Sequence, residues 1–351
     1  MKILEVKTLT NDNNITRFRV QLIKWYQKNK RALPFRDSQD PYKIWLSEIM
    51  AQQTTMNVVV GYYERFIKKY PTVQAVAGAQ EKDLLKLWQG LGYYARIRNF
   101  QKACQFIVAE HQGKVSRTFQ ELKKLKGVGD YTAAAIASIC FNEDVAVVDG
   151  NVKRVVARLF NYKNEINSPQ AKKYFETKAN LLVDTRHPGQ FNEAMMELGA
   201  LVCQRKPGCQ RCPVATFCAA KDKSPEKLPV KNKMTYKNIT YVSLIVHDHN
   251  KFIVKEPTKD SLVRHLWELP TTIKTENMFS NLVGQRKTVK IGQVKHAITN
   301  KRITTIVQCC LVSPAQLTKL SGNGFKALSR KELNKIPVNA MTQKCLDLFL
   351  R

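Results

Sequence analysis

The sequence has no apolar run near the roughly 18 residues that a membrane-spanning helix requires. Its first residues, "MKILEVKTLTNDNN", also have no apolar core of a secretory signal. Acidic residues are scarce, because 28 Asp and Glu stand against 58 Lys and Arg, for a formal charge of +30. We therefore expect a protein that has no membrane partner. We expect it to lie in the cytoplasm of a bacterium, associated with the nucleoid.

The excess of positive charge favours a nucleic-acid partner, since Lys and Arg that neutralise phosphates release condensed counterions. High charge can also serve solubility alone. An anionic membrane surface fits less well, because the basic residues are spread along the chain rather than grouped on one amphipathic helix.

Runs of alternating strand type are absent from residues 1–220, where apolar residues follow a helical period. After a segment rich in Lys and Pro the period becomes two. We predict a mostly α N-terminal domain (1–220), a linker (221–237) and a small α+β C-terminal domain (238–351). The later helices of the first domain are expected at about 95–111, 117–125, 130–141, 150–160, 169–183 and 190–201.

Disulfides are not expected in a reducing compartment, and nine cysteines is an odd number. Four of them fall within "CQRKPGCQRCPVATFC", a pattern that indicates a metal site: Cys203, Cys209, Cys212 and Cys218. Zinc accepts four thiolates, but usually in two short hooks, whereas only one short hook is present here. The wide–narrow–wide spacing favours a 4Fe–4S cluster and leaves zinc open. The remaining five are expected to be buried core residues: Cys104, Cys140, Cys309, Cys310 and Cys345.

The segment "LKKLKGVGDYTAAAIASIC" predicts two helices joined by a turn at Gly127 and Gly129. Glycines allow close approach of a phosphate, and the free amides at the start of the second helix point the same way. A Gly-x-Gly turn alone is a weak signal, because many helix pairs turn on glycine.

Two carboxylates are candidates for catalysis. Asp149 lies between an apolar run and a helix, where its ordinary role is an N-cap. Glu48 lies inside an apolar helix and faces solvent by default. If Glu48 faces inward, desolvation raises its pKa and suits it to donate a proton, and the two carboxylates can then divide acid and stabiliser roles.

Together these segments resemble the endonuclease III-like helix–hairpin–helix DNA glycosylases, and within them the adenine DNA glycosylases of the MutY type. The resemblance is carried by "DPYKIWLSEIMAQQT", "LWQGLGYYARIRN", "LKGVGDYT", "VDGNVKRV" and "FNEAMMELGALVCQRKPGC". It implies a glycosylase domain with a 4Fe–4S loop, although the family's usual first gap is six residues and Cys203 to Cys209 leaves five. The last domain resembles a MutT/Nudix-like recognition domain, with "HLWELP" as its clearest segment and without the catalytic Nudix glutamates.

The resemblance implies that Glu48 protonates adenine, that Asp149 stabilises the sugar cation, and that Tyr131 and Asn151 position them. Tyr131 stands where strand-cutting members carry a lysine nucleophile, which implies a monofunctional enzyme. The other residues it implies for substrate or DNA contact are Gln53, Leu91, Tyr93, Gly127, Gly129, Lys153, Glu193, Thr299 and Asn300.

The implied substrate is double-stranded DNA containing A:8-oxoguanine or A:G mispairs, and the implied state is a monomer. Two alternatives remain open at this point. One is a glycosylase for thymine mismatches or oxidised pyrimidines, and the other is a non-enzymatic DNA-binding protein on the same fold. The pair Glu48 and Asp149 argues against the second alternative, and Tyr131 argues against a strand-cutting first one.

Overall fold

The computed structural model describes residues 9–232, 235–258, 261, 263–273, 279–284, 286–298 and 300–350. The chain divides into two compact units. The first comprises Met1–Ala79 and Ala95–Asn232, and the second comprises Gln80–Tyr94 and Lys233–Arg351. The domain and linker limits expected from the sequence stay a prediction; the compact units divide after Asn232 and place residues 80–94 in the second unit.

Helices dominate the first part of the chain, as expected, and the described residues 9–232 contain no strand beyond an isolated bridge between Glu165 and Val230. No helix in the described part of the chain is long and apolar enough to cross a membrane. The helices are α1 (Asp12–Asn29), α2 (Pro41–Ala51), α3 (Met56–Lys69), α4 (Val73–Ala77), α5 (Glu81–Trp88), α6 (Ala95–His111), α7 (Phe119–Lys124), α8 (Asp130–Phe141), α9 (Gly150–Leu159), α10 (Pro169–Leu182) and α11 (Pro188–Leu201). Short 3-10 turns follow at Cys209–Arg211, Ala215–Phe217 and Pro225–Lys227.

Helix α1 illustrates how apolar periodicity builds the first unit. Phe18, Leu22 and Tyr26 recur at the helical period and are buried. The ring of Phe18 lies 6.3 Å from that of Phe191 on α11 and 5.9 Å from that of Phe217 beyond it. The core that holds α11 in place is therefore built from residues far apart in sequence.

The second unit contains α5 and a six-stranded mixed sheet with its helices. The strands are β1 (Lys237–His247), β2 (Lys251–Lys255), β3 (Thr271–Ile273), β4 (Val289–Ile298), β5 (Lys301–Leu311) and β6 (Phe325–Ser329), and the helices are α12 (Ser280–Val283), α13 (Pro314–Leu320), α14 (Arg330–Leu333) and α15 (Ala340–Phe349). The strand order is β4-β5-β1-β2-β6, and β3 pairs with β1. Strands β1 and β5 run parallel, while the other pairs are antiparallel.

Both faces of this sheet are covered. Ile245, Val254 and Val307 pack with residues of α15 on one side, and Leu244 and Ile253 pack toward α12 and α13 on the other. The prediction of an α+β domain is confirmed. The elements expected from the sequence pattern did not include β3, α12, α13 or β6.

The five cysteines outside the cluster are only in part the buried residues that were expected. Cys104, Cys310 and Cys345 are buried, whereas Cys140 and Cys309 are half-buried. All five are free thiols.

Candidate active site

Glu48 faces inward, contrary to the default for a lone glutamate on a helix. Helix α2 begins at Pro41 after Asp40, whose carboxylate accepts a hydrogen bond from the Tyr42 amide at 2.9 Å. Nearly all of α2 is buried, and the Glu48 side chain with it, at 8% exposure. The Tyr131 hydroxyl on α8 donates a hydrogen bond to the Glu48 carboxylate.

Burial raises the pKa of Glu48 to about 7. The hydrogen bond from Tyr131 and the charge of Arg36 lower that pKa, while the charges of Asp149 and Glu193 raise it. Burial also raises the pKa of Tyr131 well above its usual value, so its hydroxyl keeps its proton and remains a donor. A carboxyl group that titrates near neutral pH is suited to general acid catalysis.

Asp149 caps helix α9 and is fixed by two donors. One carboxylate oxygen accepts from the Val152 amide at 2.6 Å, and the other accepts from the Asn151 side-chain amide at 2.8 Å. Burial raises the pKa of Asp149, and these hydrogen bonds oppose that effect. The N-cap role considered from the sequence is confirmed, and it leaves the carboxylate oriented at the start of the helix.

Asn151 is held from its other side by Arg154. The Arg154 guanidinium donates to Asn151 Oδ1, to the Gly199 carbonyl and to the Cys203 carbonyl, each at 2.7 Å. A Cβ at Gly199 would lie 2.6 Å from the Asn151 Cβ, so this close approach of α9 and α11 requires glycine. Arg154 thereby links Asn151, which orients Asp149, to Cys203, the first of the four clustered cysteines.

A second polar network contains residues that were not anticipated, apart from Glu193. Arg31 binds both carboxylate oxygens of Glu197 at 2.8 Å. Arg36 binds Glu197 at 2.8 Å and Glu193 at 3.1 Å, and the Tyr26 hydroxyl donates to Glu193 at 2.9 Å. Two glutamates four residues apart on the apolar helix α11 were the available signal, because buried carboxylates need partners.

The hairpin turn between α7 and α8 forms as expected. Gly127 has φ +81°, and a Cβ there would lie 2.6 Å from the Asn99 Cβ, so both conformation and packing require glycine. Gly129 is the N-cap of α8, and a Cβ there would meet no described atom within 4 Å. Packing therefore requires glycine at position 127, whereas the space around Gly129 is open.

A cavity of about 390 Å³ beside this hairpin is lined by lysines, two acidic residues and apolar side chains. Its lining includes Tyr131 and Lys153, together with Lys123 and Lys172. The last two each form a 2.7 Å ion pair with Asp130 at the start of α8. Lys153, implied for substrate contact, thus lies on the same cavity as Tyr131.

All four clustered cysteines line one small cavity, next to Arg158. Among the described residues no three His, Cys, Asp or Glu side chains are already arranged as a metal-binding group. Burial raises the pKa of Cys212 to about 12 and that of Cys218 to about 11. A cationic metal group would favour the thiolates, and four sulfurs on one cavity fit a group that takes four thiolate ligands.

Comparisons with known proteins give the same assignment as the motifs. The sequence profile described as "HhH-GPD superfamily base excision DNA repair protein" matches residues 46–181. The adenine DNA glycosylase of Buchnera aphidicola subsp. Schizaphis graminum is 31% identical over 342 residues, covering 93% of this chain and 97% of that protein. The chain belongs to the adenine DNA glycosylase family.

Other members of the family are longer. The adenine DNA glycosylase of Arabidopsis thaliana is 34% identical over 388 residues, covering 98% of this chain and 61% of that protein. The rat enzyme is 42% identical over 217 residues, covering 59% of this chain and 42% of that protein. The chain thus spans about half the length of these relatives.

Solved structures share the helical fold of the family. A structure described as a thermostable thymine-DNA glycosylase aligns with a TM-score of 0.55 and 27% identity, over 60% of this chain and 98% of that one. A non-covalent endonuclease III–DNA complex aligns with a TM-score of 0.50 and 24% identity, over 60% of this chain and 97% of that one, which shows the fold alone.

The residues that the family resemblance implies for insertion into DNA have unusual backbone conformations. Gln53 and Tyr93 have φ of +57° and +48°, a region that non-glycine residues rarely adopt. Gln53 is exposed, as is Tyr93 at 47%. Leu91 is 7% exposed, so it does not project as Tyr93 does. Strained, exposed residues of this kind are typical of functional contacts.

Asn300, one of the two residues implied for lesion contact, lies at the turn of the β4–β5 hairpin. Strand β4 ends at Ile298 and β5 begins at Lys301, and the Asn300 carbonyl accepts from the Lys237 amide at 2.8 Å. Thr299 lies outside the described residues. The structure therefore brings Glu48, Tyr131, Asp149 and Glu193 together in the first unit, and it places Tyr93 and Asn300 in the second.

Proposed function

We propose that this protein removes adenine mispaired with 8-oxoguanine or guanine in duplex DNA, by hydrolysis of the N-glycosidic bond. The observation that carries the proposal is the buried Glu48 carboxyl group, whose pKa is raised to about 7 and which accepts a hydrogen bond from Tyr131. Membership of the adenine DNA glycosylase family supports the choice of base.

The first step is protonation of the leaving base. Adenine leaves poorly as an anion, so a proton must reach it as the bond breaks. Glu48 donates this proton, at nitrogen 7 by analogy with the family, and its raised pKa keeps much of it protonated near neutral pH. Glu193, held by Tyr26 and Arg36, is a candidate contact for the flipped base.

The second step is departure of adenine and attack by water. The bond between the sugar C1′ and adenine N9 breaks with its electron pair on N9, leaving an oxocarbenium-like sugar. The Asp149 carboxylate stabilises this cation and takes the proton of the water whose oxygen bonds to C1′. Asn151 holds Asp149 in place by its 2.8 Å hydrogen bond.

The chemistry stops at base removal. A strand-cutting glycosylase needs an amine that forms a Schiff base with the sugar. The residue after the hairpin is Tyr131, a phenol committed to Glu48. We therefore propose a monofunctional enzyme, with Lys153 as a phosphate contact.

Duplex DNA is the proposed partner, and the protein acts as a cytoplasmic monomer. Gly129 at the start of α8 leaves space for a backbone phosphate, and Gln53 and Tyr93 are exposed for insertion beside the lesion. Extruding a base costs a few kcal/mol, and a mispair reduces that cost. Inserted side chains occupy the space that the flipped base leaves.

The cysteine cavity is proposed to hold a 4Fe–4S cluster bound by Cys203, Cys209, Cys212 and Cys218. The α+β domain is proposed to be a MutT/Nudix-like domain that recognises 8-oxoguanine through Thr299 and Asn300. Support comes from the β4–β5 hairpin, which carries Asn300 between its two strands.

The test is single-turnover excision on matched duplexes. Adenine opposite 8-oxoguanine, guanine and cytosine is compared with thymine opposite guanine and with an oxidised pyrimidine. Release of adenine opposite 8-oxoguanine and guanine, with little release from the cytosine pair, supports the proposal. Preferential release of thymine would support the alternative suggested by the thymine-DNA glycosylase structure, and release of no base would point to a DNA-binding protein.

A further inference from the structure

Arg158 on helix α9 is a buried cation that the proposed chemistry does not use. It is 2% exposed. Its Nε donates to the Pro225 carbonyl at 2.8 Å and to the Leu228 carbonyl at 3.1 Å. Its two terminal nitrogens donate to the carbonyls of residues 203–205, at 3.1, 2.7 and 3.3 Å.

The same guanidinium reaches a sulfur of the cysteine cavity. Arg158 Nη1 lies 3.2 Å from Cys203 Sγ. The Arg158 carbonyl in turn accepts from Cys218 Sγ at 3.4 Å and from the Ala220 amide at 3.1 Å. One residue thus contacts the first and last cysteines of the cluster and both ends of the segment that carries them.

A buried charge is costly unless an opposite charge or a full set of hydrogen bonds compensates it. Within the described parts of the chain no carboxylate forms an ion pair with Arg158. Its compensation comes from five carbonyls and one cysteine sulfur. All of these groups belong to residues 203–228, so this segment and the guanidinium stabilise each other.

We infer that Arg158 is a positioning residue that folds residues 203–228 into the shape that brings the four cysteines to one cavity, and that its charge stabilises a thiolate-bound metal group there. The second half of this inference rests on the proposed 4Fe–4S cluster, and the first half does not. The planar fork of Arg binds several carbonyls at once, which a lysine ammonium cannot reproduce.

Arg158→Met removes both the charge and the fork, while Arg158→Lys keeps the charge. Arg205→Met is the matched control, because it removes an exposed arginine from the same loop and leaves the Arg205 carbonyl in place. The readouts are iron and sulfide per chain after anaerobic purification, the rate of iron loss to a chelator, and the reduction potential of the bound group. Trypsin cleavage after Arg211 is measured on metal-free protein.

We expect Arg158→Met to lose iron about tenfold faster than the parent or more, since removing groups around metal ligands typically lowers metal affinity by about 10- to 100-fold. Its reduction potential should be lower, since a nearby positive charge favours the added electron. Cleavage after Arg211 should be several-fold faster. Arg158→Lys should restore the potential more than the trypsin resistance, and Arg205→Met should match the parent in all readouts.

Parent-like iron retention, potential and trypsin resistance in Arg158→Met would overturn the inference. If the parent binds no iron, the cluster proposal fails, and the trypsin comparison still decides the loop-folding role. If Arg158→Met does not fold, Arg158→Lys takes its place: faster iron loss and faster cleavage support the inference, and parent-like values refute it.

Discussion

Replacing Glu48 by Gln separates the stability of this protein from its proposed activity. Glutamine has nearly the same shape, keeps an oxygen that accepts the Tyr131 hydroxyl, and cannot donate an acidic proton. We expect excision to fall by at least about 100-fold, the lower end of the range for loss of a general acid. The free energy of unfolding, by contrast, should increase.

The expected gain in stability follows from the Glu48 pKa. The ordinary pKa of glutamate is 4.5, and in the folded protein that of Glu48 is about 7. Between these values the unfolded chain loses the proton first, so the native protein is progressively destabilised as pH rises. The penalty is about 1 kcal/mol at pH 5 and about 3 kcal/mol above pH 8, at about 1.4 kcal/mol per pH unit.

The measurement is urea unfolding from pH 5 to 9, followed by far-UV circular dichroism, for the parent and Glu48→Gln. Any free-energy cost of burying the new amide is independent of pH. The informative quantity is therefore the change with pH of the difference in unfolding free energy between variant and parent. Glu64→Gln, at an exposed position on the neighbouring helix α3, is the control and should show no such slope. If the difference in unfolding free energy between Glu48→Gln and the parent does not change with pH, the raised pKa of Glu48 is refuted. Parent-like excision would refute the role of Glu48 as the acid.

Four further outcomes are expected. Tyr131→Phe removes a hydrogen bond that lowers the Glu48 pKa, so the alkaline fall of the excision rate should move to higher pH; an unmoved profile would contradict this. Asp149→Asn keeps the cap and should retain duplex binding while losing about 100-fold or more in excision. Anaerobically purified protein should contain about four irons per chain, and stoichiometric zinc without iron would overturn the cluster. Thr299→Ala with Asn300→Ala should reduce the preference for 8-oxoguanine by roughly threefold to tenfold, measured as a ratio of excision rates.

Local features of the protein could be predicted from the sequence because their causes are local. Helices α6 and α8 occupy the expected ranges, since apolar periodicity, caps and glycine stops act within a few residues. The hairpin glycines and the four-cysteine segment were visible for the same reason. Strand β3 was not predicted, because three residues are too few to show a period of two.

The protonation chemistry of the site was decided by tertiary structure. In sequence Glu48 is one carboxylate on an apolar helix, and its pKa depends on which face of α2 packs against α8. Arg36 and Glu197 belong to no sequence motif that indicates a contact between them. They nevertheless form an ion pair, because a buried carboxylate requires a partner. Desolvation and charge pairing depend on distances between residues remote in sequence, so residue types and spacing determined the candidates, and only packing determined which of them is an acid at neutral pH.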